Sequence, residues 1–270
     1  MHFYISLIME LKKRETKCAG RWYPYKKQSL RYTDNPVSSA VISPHAGFSY
    51  SGEVSFEAVS YVKKSRVWIF GTCHYETPQN GISIYYGDYS SSIGKAVFPG
   101  NLSEKDYEIL NKYFSDEGHR TEEHSIENVL YCLNHFKKEV NAFCVLVRIN
   151  DEEDFEKIAN DIVQVWNKGD SIIISTDWNH FVPVKIVNQL LDEASSYLAK
   201  GDVPGLYSQC LKGTQEACGI DGLYLANKTL AKVDENTRFT ILTKTDSSKS
   251  EFDFGGLTSK TCVGYISARN

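Results

Sequence analysis

Several chemical signatures are missing from this 270-residue chain. It has no G-x-x-x-x-G-K-[ST] loop and no G-x-G-x-x-G turn, which removes two backbone cradles for nucleotide phosphates. It also lacks the G-x-S-x-G elbow that presents a serine nucleophile. Lys and Arg never form a block, the formal charge is −4 and the pI is near 6.0, so the chain offers little to nucleic acid or to an anionic membrane. No apolar run approaches the roughly 20 residues of a membrane span. The opening "MHFYISLIMELKKRE" has no basic start, and Glu10 follows its apolar patch directly, so it does not read as a signal peptide. Met9 is an alternative start. Cysteine occurs seven times, at positions 18, 73, 132, 144, 210, 218 and 262, but never as C-x-x-C. An odd, scattered set in a chain of this size points to reduced thiols and a cytoplasmic setting rather than to a disulfide framework.

What is present is a set of four apolar, β-branched runs: residues 39–43, 66–71, 142–149 and 171–176. Their lack of polar alternation suits strands buried on both faces. Helical patterns separate them at 52–64, 102–114, 125–140 and 152–168. Two further helices are expected at 184–200 and 219–233, then strands at 238–245 and 260–268. Residues 81–99 read as an irregular hairpin at a sheet edge. Alternating strand and helix without a linker or repeat predicts a single α/β domain with a largely parallel central sheet flanked by helices.

Chemistry gathers where these runs end. "VISPHAGFSYSG" stops its strand at Pro44, which cannot donate to a ladder, and places His45 just beyond it. One such histidine is compatible with an ordinary turn. The pattern recurs, however, at His74 in "WIFGTCHYETP" and at Asp177 and His180 in "IIISTDWNHF". The carboxyl ends of parallel strands form the ligand crevice of α/β sheets, so these side chains are expected to converge there. In "TEEHSIENVL", His124 and Glu127 are further candidates, although an acidic first helical turn has the same appearance. His2, His119 and His135 sit in polar or terminal contexts and read as surface residues. Imidazoles supported by a carboxylate suit zinc, copper, iron or nickel, and the same groups could do acid–base work with Asp177 orienting His180.

The blocks "CAGRWYP", "SPHAGFSYSG", "IFGTCHYE", "EEHSIENVLYCL", "STDWNH", "ACGIDGLYLA" and "VGYISA", in this order, resemble the Memo family from about Arg14 to the C-terminus. The resemblance implies a 14–270 domain preceded by a 1–13 extension, with a fold like that of the class III extradiol dioxygenases. It implies a cleft with His45 and His74 as metal residues and Asp177 and His180 as catalytic residues, binding copper or iron, with zinc a further candidate. It also implies a role in redox or metal handling, signalling linked to cell motility, and recognition of a phosphotyrosine peptide or signalling protein; for such a peptide the cleft histidines and Arg21 or Arg148 are candidate anion partners in this chain. The chain departs from the family at Cys18, where a histidine is frequent. It departs again in a late loop, where Ser250 stands in the register of an animal cysteine. The missing thiolate disfavours Cu(I), and Cys73 could replace it only by turning to the same face as its neighbour His74. An active dioxygenase would need a carboxylate ligand, for which Asp246, Glu251 and Asp253 lie in a Ser-rich loop. Such a ligand is poorly preorganised, and ring cleavage is not expected.

Overall fold

The computed structural model describes residues 11–29, 31–249 and 261–270. The four apolar runs become β2 (Ala40–Ser43), β3 (Arg66–Thr72), β7 (Glu139–Val147) and β8 (Asp170–Ser175). They lie in the order β7-β3-β8-β2, all parallel. Successive side chains alternate between two cores, which is why both faces had to be apolar. Trp68, Phe70, Ile172 and Ile174 enter one core, and Val67, Ile69 and Ile173 the other.

On the second face pack α1 (Phe48–Tyr61) and α3 (Ser125–Phe136), through Phe56, Val59, Ile126 and Leu130. On the first face pack α4 (Glu152–Val165), α5 (Val184–Lys200), α6 (Val203–Leu211) and α7 (Ile220–Lys232). The short α2 (Glu104–Leu110) is closed by a reciprocal Ser103–Asp106 capping box. The sequence pattern did not reveal α6. Pro204 and Gly205 look like a turn, yet proline is welcome at a first helical turn and Asp202 caps the helix by accepting from the Gly205 N–H.

The parallel core is extended at both edges. β10 (Thr240–Asp246) and β11 (Thr261–Arg269) add antiparallel strands beyond β2. At the other edge, β1 (Lys12–Arg14), β5 (Gly87–Ser90) and β6 (Lys95–Val97) continue from β7, while β4 (Ile82–Ile84) pairs separately with β7. The expected edge hairpin is thus β5–β6, with β4 diverted. β9 (Trp178–Pro183) pairs with β11.

Two expectations are corrected. His119 is 0% and His135 5% exposed, although their sequence neighbours are polar. Each ring is held by backbone that only the fold supplies, although the buried Nδ1 of His119 has no partner. His119 Nε2–H donates to Ser83 O, while His135 Nδ1–H donates to Tyr131 O and its Nε2 accepts from the Gln28 N–H. His2 lies outside the described residues. All seven cysteines are free, and among the described residues no helix is long and apolar enough to cross a membrane.

A cluster of imidazoles at the carboxyl ends of the parallel strands

Because β2, β8 and β3 are neighbours, whatever follows their carboxyl ends shares one place. His45 and Asp177 follow β2 and β8, and His74 follows β3. The His45 and His74 rings lie 5.2 Å apart, and His124, brought in at the start of α3, lies 5.4 Å from His45 and 4.5 Å from His74. Trp22 stacks on the outer face of His124 at 3.7 Å. Two glycines permit the close approach. A Cβ on Gly71 would stand 2.5 Å from Ile126 Cγ1, and one on Gly219 would stand 2.4 Å from Ser175 O. The first lets α3 close on β3, and the second lets the start of α7 close on β8.

Each ring is oriented by an oxygen behind it. Ser175 Oγ donates its single proton to Ser125 O (2.6 Å), so at 2.8 Å it accepts from His45 Nδ1–H. His45 Nε2 therefore carries the lone pair and faces Cys218 Sγ at 3.4 Å and Asp177 Oδ2 at 3.7 Å. His74 Nδ1–H donates to Glu123 Oε1 (2.9 Å), and Glu123 Oε2 accepts from the His74 backbone N–H (2.7 Å). His180 is held in the same bidentate way by Glu216, at 2.8 Å from Nδ1 and 2.7 Å from its backbone N–H. An imidazole whose Nδ1–H is fixed by a carboxylate or hydroxyl is the usual state of a metal-binding histidine. His124 differs, because its buried Nδ1 makes no hydrogen bond.

Burial sets the protonation states. It drives His45 well below the ordinary histidine value, reinforced by the neighbouring His74, and takes His124 down to about 3, with His45 and His74 adding to the effect. For Glu123 burial acts in the raising direction, but the hydrogen bond and charge of His74 outweigh it and hold the carboxyl near 2. Burial raises Asp177 despite the backbone N–H groups of His45 and Ala46 on its Oδ1. For His180 burial acts in the lowering direction, but the hydrogen bond to Glu216 and the charges of Asp177 and Glu216 together outweigh it, so the group is raised. Cys218 is pushed up to about 12 by burial and then by Asp177.

In front of the cluster opens a cavity of about 450 Å³, floored by His74, His124, Asp177 and His180, with Trp22, Tyr50 and Tyr265 in its walls. Two groups of ligand atoms lie within 4.8 Å of one another: His45, His74 and Cys218, and His74, Glu123 and His124.

The structure brings together His45, His74, His124, Asp177 and His180. It does not bring in Glu127, which accepts from Arg14, Thr16, Tyr23 and the N–H groups of Lys17 and Cys18 and lies off the cavity. Cys73 belongs to neither ligand group and is half-buried, its thiol pushed up to about 12 by burial and Glu123. Asp177 reaches the backbone of His45 and Ala46, while the residue orienting His180 is Glu216. Ser250, Glu251 and Asp253 lie outside the described residues, and Asp246 is buried, accepts from the Ser248 N–H and is not among the cavity-lining residues, although its neighbour Ser247 is. Arg21 pairs with Glu122 on the surface, and Arg148 lines a separate depression. Sequence reasoning missed Glu123, Glu216 and Cys218.

A family model described as Memo-like protein matches residues 14–269. Among curated relatives, a MEMO1 family protein of Methanosarcina barkeri is 25% identical over 274 residues, covering 93% of this chain and 97% of its own length. One of Desulfurococcus amylolyticus is 26% identical, covering 79% and 85%, and one of Aquifex aeolicus is 26% identical, covering 77% and 82%.

Proposed function

The chain belongs to the Memo-like family, and on that footing we propose that its cleft is a metal site held by His45, His74 and Cys218. The observation that carries this reading is the coincidence of three donor atoms within 4.8 Å with an oxygen acceptor behind each imidazole, Ser175 for His45 and Glu123 for His74. Two nitrogens and one sulfur suit copper, iron or zinc, and the thiol of Cys218 supplies the soft donor that the late loop lacks. The thiol, raised to about 12 when free, would be deprotonated by the cation it binds.

A bound ion would supply Lewis-acid or redox chemistry. The chain's own part is to fix the rings, exclude water with Trp22 and the apolar walls, and hold a proton on His180, whose Nδ1–H is tied to Glu216. The wider role in metal or redox handling in the cytoplasm, and in signalling linked to cell motility, rests on the family resemblance, as does the kinship to extradiol dioxygenases. Ring cleavage stays outside the proposal, because Asp177 Oδ1 is engaged by two N–H groups and the Asp246 carboxylate by Ser248 and Lys249. Among the described residues the cavity is lined by no Lys or Arg, which gives a phosphotyrosine little to pair with.

The test is element analysis of tag-free protein purified without chelator. About one equivalent of copper, iron or zinc is expected per chain, with Cys218→Ser lowering the retained copper. Protein that is correctly folded yet binds none of the three would overturn the reading.

A further inference from the structure

The wall of the cleft that carries His180 is built unlike the rest. Trp178 pairs with Gly264 and Val182 with Cys262, so Asn179, His180 and Phe181 on β9 stand opposite Val263 alone. This three-to-one irregularity in the ladder turns His180 and Phe181 toward the cavity, which both line. It demands left-handed backbone at two non-glycine residues, φ +48° at Asn179 and +56° at Phe181. Asn tolerates that region, whereas for a bulky residue it is strained. Burial does not offset the strain, since Phe181 is 76% exposed. Folding stability therefore gives no reason for phenylalanine here, where Gly or Asn would serve better, and strain kept without a packing return marks function.

We propose that Phe181 is the rim contact for an organic ligand whose uncharged aromatic ring enters this cleft. The walls match such a ring. Trp22, Tyr50, Val263 and Tyr265 surround the approach, the histidines and Asp177 lie at the floor, Ser247 and Thr261 add uncharged hydroxyls, and no Lys or Arg lines the cavity among the described residues. A cavity of about 450 Å³ admits one or two fused rings. A ring meeting Phe181 edge-on or offset gains from both burial and the aromatic quadrupole. An anionic ring would have to approach the buried carboxylate of Asp177, and His180, which lines the cavity and can carry a positive charge, is already paired with Glu216. The inference goes beyond the metal reading and stands apart from it, so the two can fail separately.

The experiment uses full-length, chelator-treated protein and three probes of similar size: 2-naphthol, its saturated analogue decahydro-2-naphthol, and 2-naphthyl phosphate. Affinities are measured by calorimetric titration. The proposal expects 2-naphthol to bind at least tenfold more tightly than either comparison probe. It expects Phe181→Gly and Phe181→Asn each to weaken 2-naphthol about tenfold, while Phe181→Leu keeps part of the affinity. Neither the Gly nor the Asn variant should melt below the parent, because each relieves the φ strain. Metal content, read by element analysis on untreated samples, should be unchanged in all three variants. Equal affinity of parent and Phe181→Gly for 2-naphthol would overturn the proposal. So would a melting temperature several degrees lower in both the Gly and Asn variants, which would make Phe181 a packing residue. Tighter binding of the phosphate ester would replace the uncharged ring with an anion.

Discussion

Glu123 and Glu127 stand four residues apart at the start of α3, both almost fully buried, yet they serve opposite purposes. Glu127 is saturated. The Arg14 guanidinium, the hydroxyls of Thr16 and Tyr23 and two backbone N–H groups converge on it, and Arg14 spends its remaining donors on the carbonyls of His119, Thr121 and Glu123. This knot ties the segment after β1 to α3 and leaves no atom for a ligand. Glu123 instead holds one face of His74 so that the other nitrogen points outward, into a cluster where the His45 nitrogen and the Cys218 sulfur also face inward. A buried polar cluster whose atoms are all paired is structure; one whose strongest donors are aimed but unspent is a site.

Breaking the saturated cluster should have the largest effect. Glu127→Ala leaves the buried Arg14 unpaired, and a loss of about 3–5 kcal/mol is expected in urea unfolding. The fraction that folds should retain its metal. Acid gives the next effect, beside the same knot. Burial lowers His119 to about 4 even though its hydrogen bond to Ser83 O opposes the shift, with Arg14 lowering it and Glu123 and Asp116 raising it. The unfolded chain takes up this proton near pH 6.5 and the folded chain only near 4, so between them the unfolded state binds more protons. Stability should fall as the pH is lowered through that window, by on the order of 3 kcal/mol for this group. Unfolding curves of His119→Gln should show a shallower pH dependence over the same range.

On the unspent side the effects move from stability to binding. Glu123→Gln should lower metal affinity about 10–100-fold in a competition titration, because it loosens the ring it orients. Its melting temperature should fall less than that of Glu127→Ala. The smallest change is expected at the half-exposed Glu216. Glu216→Gln should alter stability by less than about 1 kcal/mol. The His180 pKa, followed by NMR, should fall, since the Glu216 hydrogen bond is the largest of the effects that raise it and burial acts to lower it. If Glu123→Gln and Glu127→Ala lost stability equally and bound metal equally, the distinction between the two carboxylates would collapse.

The contrast also explains what was legible in the sequence. β2, β3, β7 and β8 could be read because a strand covered on both faces must be apolar throughout, and His45, His74 and Asp177 could be read because they punctuate those strands. Glu127 looked like the inward-facing carboxylate and Glu123 like an ordinary acidic residue before a helix. Which of them meets His74 is decided by how far α3 slides along β3, which depends on Gly71 meeting Ile126. β9 was invisible because left-handed residues at 179 and 181 interrupt the two-residue period on which strand patterns rest. Cys218 lies 173 positions from the imidazole it meets, and no local spacing can announce such a pair.

The central claim, that the inward-facing nitrogens and sulfur are ligands, is tested most directly by cobalt(II) titration of metal-free protein followed by absorption. The account predicts one equivalent bound with a sulfur-to-cobalt charge-transfer band. Cys218→Ser should lose that band while still binding the ion more weakly, and the double variant His45→Ala, His74→Ala should bind none. A parent protein that folds but shows no such band, or a band that survives in Cys218→Ser, would contradict it.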